Sequence, residues 1–250
     1  MRQRKMALTG PAAAALFGLD GFRDRVWPNL WCVPHGADPG HRIIRTRAWE
    51  DPIEVGGQLV CPLSLAIRHL NAYPDDLTGV DDGICPRDRV ELAVEHALRL
   101  GVAVSAGRGG SMSGDQLLHQ VLALRGDEPP TESYAETRAV QLLRSFGLDV
   151  WRQVPIMVNG RVRFRADLMI RYRAQRRPEV FRPDHGLLLE VDSREHHADN
   201  FDHDMERNST YSALQFHWLG IAPNHIERRP DLVRRSISGA LRRAGHPVLD

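Results

Sequence analysis

Between residues 131 and 170 the hydrophobic period changes once, and that change restricts the fold more than any other feature of the chain. Thr131 to Phe146 carries Ala135, Ala139, Leu142 and Phe146 on one stripe and stops at Gly147, the spacing of an amphipathic helix. From Val150 the period becomes two. Val150, Val154, Ile156 and Val158 run into Asn159-Gly160, and Val162, Phe164, Ala166, Leu168 and Ile170 follow. Asn-Gly supplies the positive φ angles of a tight two-residue turn, so this segment is predicted to be an antiparallel hairpin. Gly186-Leu-Leu-Leu-Glu-Val-Asp192 reads as a strand buried on both faces, Asp204 to Leu214 as a helix, Phe216 to Ile221 as a strand and Pro230 to Arg243 as a closing helix. The order is helix, three strands, helix, strand, helix. It predicts the α/β (α+β) class, with a mixed sheet flanked by helices.

The first half is less regular. Thr9-Gly-Pro-Ala-Ala-Ala-Ala-Leu reads as a helix with Thr9 near its cap, and Arg42 to Arg47 as a short strand through Ile43 and Ile44. Leu63 to Leu70 and Arg87 to Leu100 read as helices, the second with Val90, Ala93, Val94, Ala97 and Leu98 at helical spacing before Gly101. A helical stretch from Gln116 to Leu124 precedes the turn-rich Gly126-Asp-Glu-Pro-Pro-Thr. The boundary is placed there, giving a smaller mixed α/β N-terminal domain over residues 1–127 and a second domain over 128–250. The glycine- and serine-rich run 104–114 lacks the Gly-Lys-Ser/Thr of a phosphate loop.

Composition removes several classes. Hydrophobic residues at 42% and charged residues at 26% of 250 exclude wholesale disorder, collagen-like sequence and a disulfide-stapled miniprotein. A balance of 33 basic against 32 acidic side chains excludes a general polyanion binder, so any nucleic-acid contact must come from local clustering. Cys32, Cys61 and Cys85 form no Cys-x-x-Cys pair and are expected to be reduced core thiols. The longest apolar stretch, around Pro11 to Leu19, falls short of the ~20 residues that span a bilayer, so no membrane contact and a cytoplasmic location are expected.

The chemistry lies in the acids. Glu190 and Asp192 point to the same face of their strand, where buried carboxylates need a partner or a metal. Asp167 stands on the parity opposite the apolar set of its strand, and antiparallel pairing of 161–170 with 186–192 places it across from Glu190. Oxygen ligands from Asp167 and Glu190 suit a hard divalent cation, Mg²⁺ or Mn²⁺, of the kind that serves phosphodiester hydrolysis. The alternative is that both acids are paired with arginines at a sheet end. Glu136 likewise has two readings, because Ser133-x-x-Glu136 is also a helix capping box.

The ordered runs Ser133-Tyr-Ala-Glu136, Arg165-Ala-Asp167-Leu, Leu189-Glu190-Val-Asp192-Ser-Arg-Glu-His-His197 and Asp204-Met-Glu-Arg207 resemble the very-short-patch-repair-like endonuclease domain of the PD-(D/E)xK superfamily, a common C-terminal module in actinobacterial proteins. The resemblance covers roughly residues 128 to 245 and implies a restriction-endonuclease-like core acting on DNA. It implies that Glu136 is the helix acid, Asp167 and Glu190 the metal acids, and His197 the histidine after the central strand. Leu8-Thr-Gly-Pro-Ala-Ala-Ala-Ala-Leu-Phe-Gly-Leu and Leu59-Val-Cys-Pro-Leu-Ser-Leu-Ala-Ile are similar to AbiEi-type antitoxins, which implies a toxin-like protein partner. Where the superfamily motif ends in lysine this chain has Asp192, and its one lysine is Lys5 among 32 arginines. Arginine stays charged and cannot accept a proton, so proton transfer falls to His196 or His197, with His197 favoured. Arg194 and Arg207 are then the phosphate-charge partners.

Eight arginines lie between Arg161 and Arg182 against two acids, Asp167 and Glu179. Arg161, Arg163 and Arg165 on the hairpin are candidates to grip a DNA backbone beside the carboxylates; the other reading is an edge strand protected by charge. Two functions follow: a metal-dependent DNA endonuclease, or a non-catalytic nuclease-fold DNA-binding or antitoxin-like regulator.

Overall fold

The computed structural model describes residues 6–34, 42–47, 49–78, 80–106, 113–173, 176–191 and 197–246, with the backbone alone at 113–114 and 197–201. The chain divides into two compact units, Met1–Asp127 and Glu128–Asp250, and both mix helices with a sheet. No helix among the described residues is long and apolar enough to cross a membrane.

The first unit contains β1 (Ala7–Thr9), α1 (Gly10–Leu16), β2 (Leu30–Pro34), β3 (Ile43–Thr46), β4 (Ile53–Val55), β5 (Gln58–Val60), α2 (Leu63–Arg68), α3 (Asp75–Thr78), α4 (Pro86–Arg99) and α5 (Ser113–Arg125). Its strands form one sheet in the order β3-β2-β1-β5-β4. Helices α1, α2, α4 and α5 enclose a core of small and branched side chains, among them Ala13, Ala14, Ile67, Val90, Val94 and Leu118. Ala13 and Ala14 of α1 are fully buried in that core. Four strands escaped the sequence reading because β1, β2, β4 and β5 span only three to five residues, too short to establish a period. Thr9 is the N-cap of α1, but its hydroxyl turns away to His69 Nδ1 at 2.9 Å. Cys32 and Cys61 are buried free thiols, whereas Cys85 is exposed at the N-cap of α4, so only two of the three belong to the core.

The second unit runs α6 (Tyr134–Ser145), β6 (Val150–Val158), β7 (Arg161–Arg171), β8 (Gly186–Val191), α7 (His197–Ala213), β9 (Trp218–Ile221), α8 (Pro223–Arg228) and α9 (Pro230–Arg243). A 3-10 turn, Pro183–His185, leads into β8. The sheet order is β6-β7-β8-β9, antiparallel except for the parallel β8–β9 pair. Asn159 and Gly160, at φ 50° and 76°, make the hairpin turn with both residues left-handed, as Asn-Gly predicts. Gly186 is needed for close approach: a Cβ there would meet Ile170 O at 2.3 Å. Helices α6, α8 and α9 cover one face of the sheet through Val140, Leu143, Ile226 and Ile237 against Leu168, Leu187 and Leu189. The other face packs Tyr211 of α7 with Trp151, Val154, Phe164, Met169 and Leu188. Leu187, Leu188 and Leu189 are all buried, which is why β8 carries no polar alternation.

Candidate active site

The antiparallel β7–β8 ladder pairs Ile170 with Leu187, Met169 with Leu188 and Leu168 with Leu189. One step further along the same register sets Asp167 across from Glu190. The Val191 N–H donates to Asp167 Oδ2 at 2.7 Å, so the Asp167 carboxylate takes up the backbone donor at the end of β8. Burial, then the charges of Glu190 and Glu136, push the Asp167 carboxyl up to about 8, against the pull of the Val191 N–H and of Arg207. Without a cation this acid therefore holds a proton near neutrality.

Glu190 is 1% exposed, and two of its partners come from α7. The Tyr211 hydroxyl donates to Glu190 Oε1 at 2.8 Å, and Arg207 Nη1 lies 3.4 Å from Glu190 Oε2. Arg207 and Tyr211 are four residues apart, which puts them on the same side of α7 above the carboxylate. Arg207 Nη2 also meets Asp204 Oδ1 at 3.1 Å. Arg207 thus bridges the carboxylates of Glu190 and Asp204. Burial and the Glu190 charge push the Tyr211 hydroxyl up, keeping it a proton donor.

Glu136 opens α6. The Ser133 hydroxyl donates to Glu136 Oε1 at 2.9 Å while the Glu136 N–H donates to Ser133 Oγ at 3.1 Å. Glu136 Oε2 accepts from the Glu132 N–H at 2.8 Å and from Gln153 Nε2 at 2.9 Å. Glu136 is thus tied to the start of its helix, and its charge acts on Asp167. Burial raises its own carboxyl above the usual range.

The β6–β7 pair is interrupted opposite Asp167. Arg152 pairs with Leu168 and Val154 with Ala166, but the intervening pair, Gln153 and Asp167, is missing from the ladder, and Gln153 sits at φ 48°. The side-chain faces change over at this point. Phe164 and Ala166 lie on the Tyr211 face, whereas Leu168 and Ile170 lie on the α6 face. The even-numbered apolar set of β7 therefore does not share one face, and Asp167 stands at the crossover. The backbone groups released by the kink are taken up from elsewhere in the unit. Arg177 Nη2 donates to the carbonyls of Arg152 and Gln153 at 2.9 and 3.2 Å, Glu128 Oε2 accepts from the Arg152 N–H at 2.9 Å, and Arg177 is paired with Glu128.

The arginine cluster divides by role. Arg177 braces the kink, and Arg171 pairs with Asp149. Arg163 is the extra residue in the bulge between Ile156–Phe164 and Met157–Val162, and its guanidinium meets Glu206 of α7 at 2.6 Å. Arg161 and Arg165 are exposed. Asp192, Arg194 and His196 lie outside the described residues. His197 begins α7, but its side chain is also outside them.

Gln153, Tyr211 and Arg177 were not singled out from the sequence. Gln153 carried a weak signal, as one of two polar residues, with Arg152, on a mostly apolar strand. Tyr211 and Arg177 carried none, because their roles depend on partners 21 and 49 residues away. Among the described residues no three His, Cys, Asp or Glu side chains form a metal-binding group. Asp167 and Glu190 nevertheless carry hard oxygen donors of the kind divalent cations such as Mg²⁺ or Mn²⁺ take, and the Glu190 charge opposes ionisation of Asp167. The chain matches no known family model, and neither a curated protein nor a solved structure is significantly similar to it.

Proposed function

We propose that the second unit is a restriction-endonuclease-like domain that hydrolyses DNA phosphodiester bonds with Mg²⁺ or Mn²⁺. The observation that carries this reading is the register of Asp167 against Glu190, which brings one buried and one half-buried carboxylate to the end of one sheet. These two residues would hold the cation, which supplies charge stabilisation at the scissile phosphoryl group and a more acidic water. The rest falls to the protein. Arg207 and Tyr211 hold the Glu190 carboxylate in place, and the Val191 N–H holds Asp167. Arg161 and Arg165 offer positive charge to a phosphate backbone at the exposed part of β7. His197, at the start of α7, is the proposed proton-transfer residue. Plasmid nicking tests the reading: cleavage is expected with Mg²⁺ or Mn²⁺ and loss of it in Asp167→Asn and Glu190→Gln, whereas equal cleavage by wild type and both variants would refute it.

One observation favours a second reading. Glu190 already has a guanidinium and a hydroxyl as partners, so part of its charge is met without a cation. A non-catalytic DNA-binding or antitoxin-like protein, with a toxin-like partner for the first unit, would keep such a compensated acid. Salt-sensitive DNA binding without divalent-ion affinity would favour it.

A further inference from the structure

Gln153 occupies a costly conformation for a residue in mid-strand. A left-handed non-glycine residue inside a ladder loses its cross-strand pair and is strained, so it persists only where its surroundings enforce it. Here they do, since Arg177 and Glu128 take three of the backbone groups around the kink. The side chain is equally constrained. It is 5% exposed, and its Nε2 is committed to Glu136 Oε2. Glu136 has no freedom to release it, because its other oxygen is held by Ser133. An amide with its nitrogen fixed by a carboxylate must present its oxygen on the opposite side, and among the described residues nothing but Glu136 bonds to this side chain.

We infer that Gln153 is the positioning residue of the carboxylate site, its amide Oε1 accepting a hydrogen bond from the water that attacks the phosphodiester. The inference rests on the nuclease reading. It accounts for three things together: the kink falls opposite Asp167, the helix acid is spent on the Gln153 amide, and no lysine exists beyond Lys5 to orient a water.

The test uses the full chain with Gln153→Met, which keeps length and loses the amide, and Gln153→Asn, which tolerates the left-handed backbone but withdraws the oxygen by one methylene. Three readouts are taken: thermal midpoint, Mn²⁺ affinity by calorimetry, and kcat and KM for plasmid nicking. In each variant that folds, Mn²⁺ affinity and KM stay within about threefold of wild type while kcat falls by about 100-fold, the loss typical of a misplaced reactant. If Gln153→Met does not fold, Gln153→Asn carries the comparison. Cleavage within about threefold of wild type by either folded variant overturns the positioning role and leaves the nuclease reading standing. Parallel loss of Mn²⁺ binding and cleavage overturns it too, in favour of a purely structural kink. Absence of cleavage by wild type overturns the nuclease reading and this inference with it.

Discussion

Asp167 and Glu190, 23 positions apart in sequence, face each other across the β7–β8 ladder, and their amide and side-chain donors come from different elements. Asp167 is bonded by the backbone of β8 and Glu190 by side chains of α7. That asymmetry keeps the two groups distinct: Glu190 has a cationic partner within 3.4 Å, while Asp167 is the acid that burial and its neighbours raise.

The first expected outcome concerns pH. With its folded pKa raised from 3.8 to about 8, Asp167 lets the native protein hold a proton that the unfolded chain has released across that window. This group's contribution is therefore full below the unfolded pKa and is lost as pH rises toward 8. In EDTA, Asp167→Asn, which keeps an oxygen for the Val191 N–H, should flatten the decline. Urea midpoints of variant and wild type at pH 5 and pH 8 give the difference, and parallel curves would count against the shift.

His69 should act in the opposite direction. Burial and then the Arg68 charge push it down to about 4, against the pull of Asp115, so it is neutral in the fold. The unfolded chain binds a proton below about 6.5 that the native state resists, so this contribution is lost as pH falls toward 4. Relative to wild type, His69→Gln should gain stability at pH 4.5 compared with pH 7.5. Because the two groups oppose each other over a shared range, each is read as a variant-minus-wild-type difference.

Arg207→Met removes the guanidinium that faces the buried Glu190 carboxylate. The expected loss is about 3 kcal/mol, the usual scale for removing one member of a buried ion pair. The double variant Arg207→Met, Glu190→Gln should recover most of it, since the buried charge is then gone. A double variant no better than the single one would mean that Arg207 matters through packing.

Much of the second unit was legible because its signals are local. Asn159-Gly160 dictates its turn, Pro230 to Arg243 carries a strong stripe and a proline at its start, and the Leu187–Leu189 run marks a central strand. Helix α7 begins at His197, seven residues before the expected Asp204, because residues 197–203 show no apolar stripe to announce it. Helix α6 begins after Ser133 rather than at Thr131, and the capping box that shows this was visible in the sequence. The twist at Gln153 was not legible. Glutamine has no preference for positive φ, and the residues that enforce it, Glu128 and Arg177, lie on either side of the hairpin in sequence. The division of the arginines was hidden for the same reason: composition gives a cluster of like charges, while the acids that engage Arg163, Arg171 and Arg177 come from other segments.

Arg161, Arg163 and Arg165 are all exposed on β7, but Arg163 is engaged by Glu206, so Arg161 and Arg165 carry the expectation for DNA. Each replacement by alanine should weaken binding evenly across sequences and lower the salt slope by about one unit per lost phosphate contact. Arg177→Ala should instead lower stability with a smaller change in slope. Filter binding over a range of salt concentrations separates the two, and a slope unchanged in the Arg161→Ala, Arg165→Ala double variant would move the DNA contact elsewhere.

The most direct measurement is calorimetric titration of the full chain with Mn²⁺ at pH 8. One site per chain is expected, abolished in Asp167→Asn and in Glu190→Gln while both variants remain folded. Absence of Mn²⁺ binding by the wild type, or binding that survives loss of either carboxylate, would contradict a cation shared by Asp167 and Glu190.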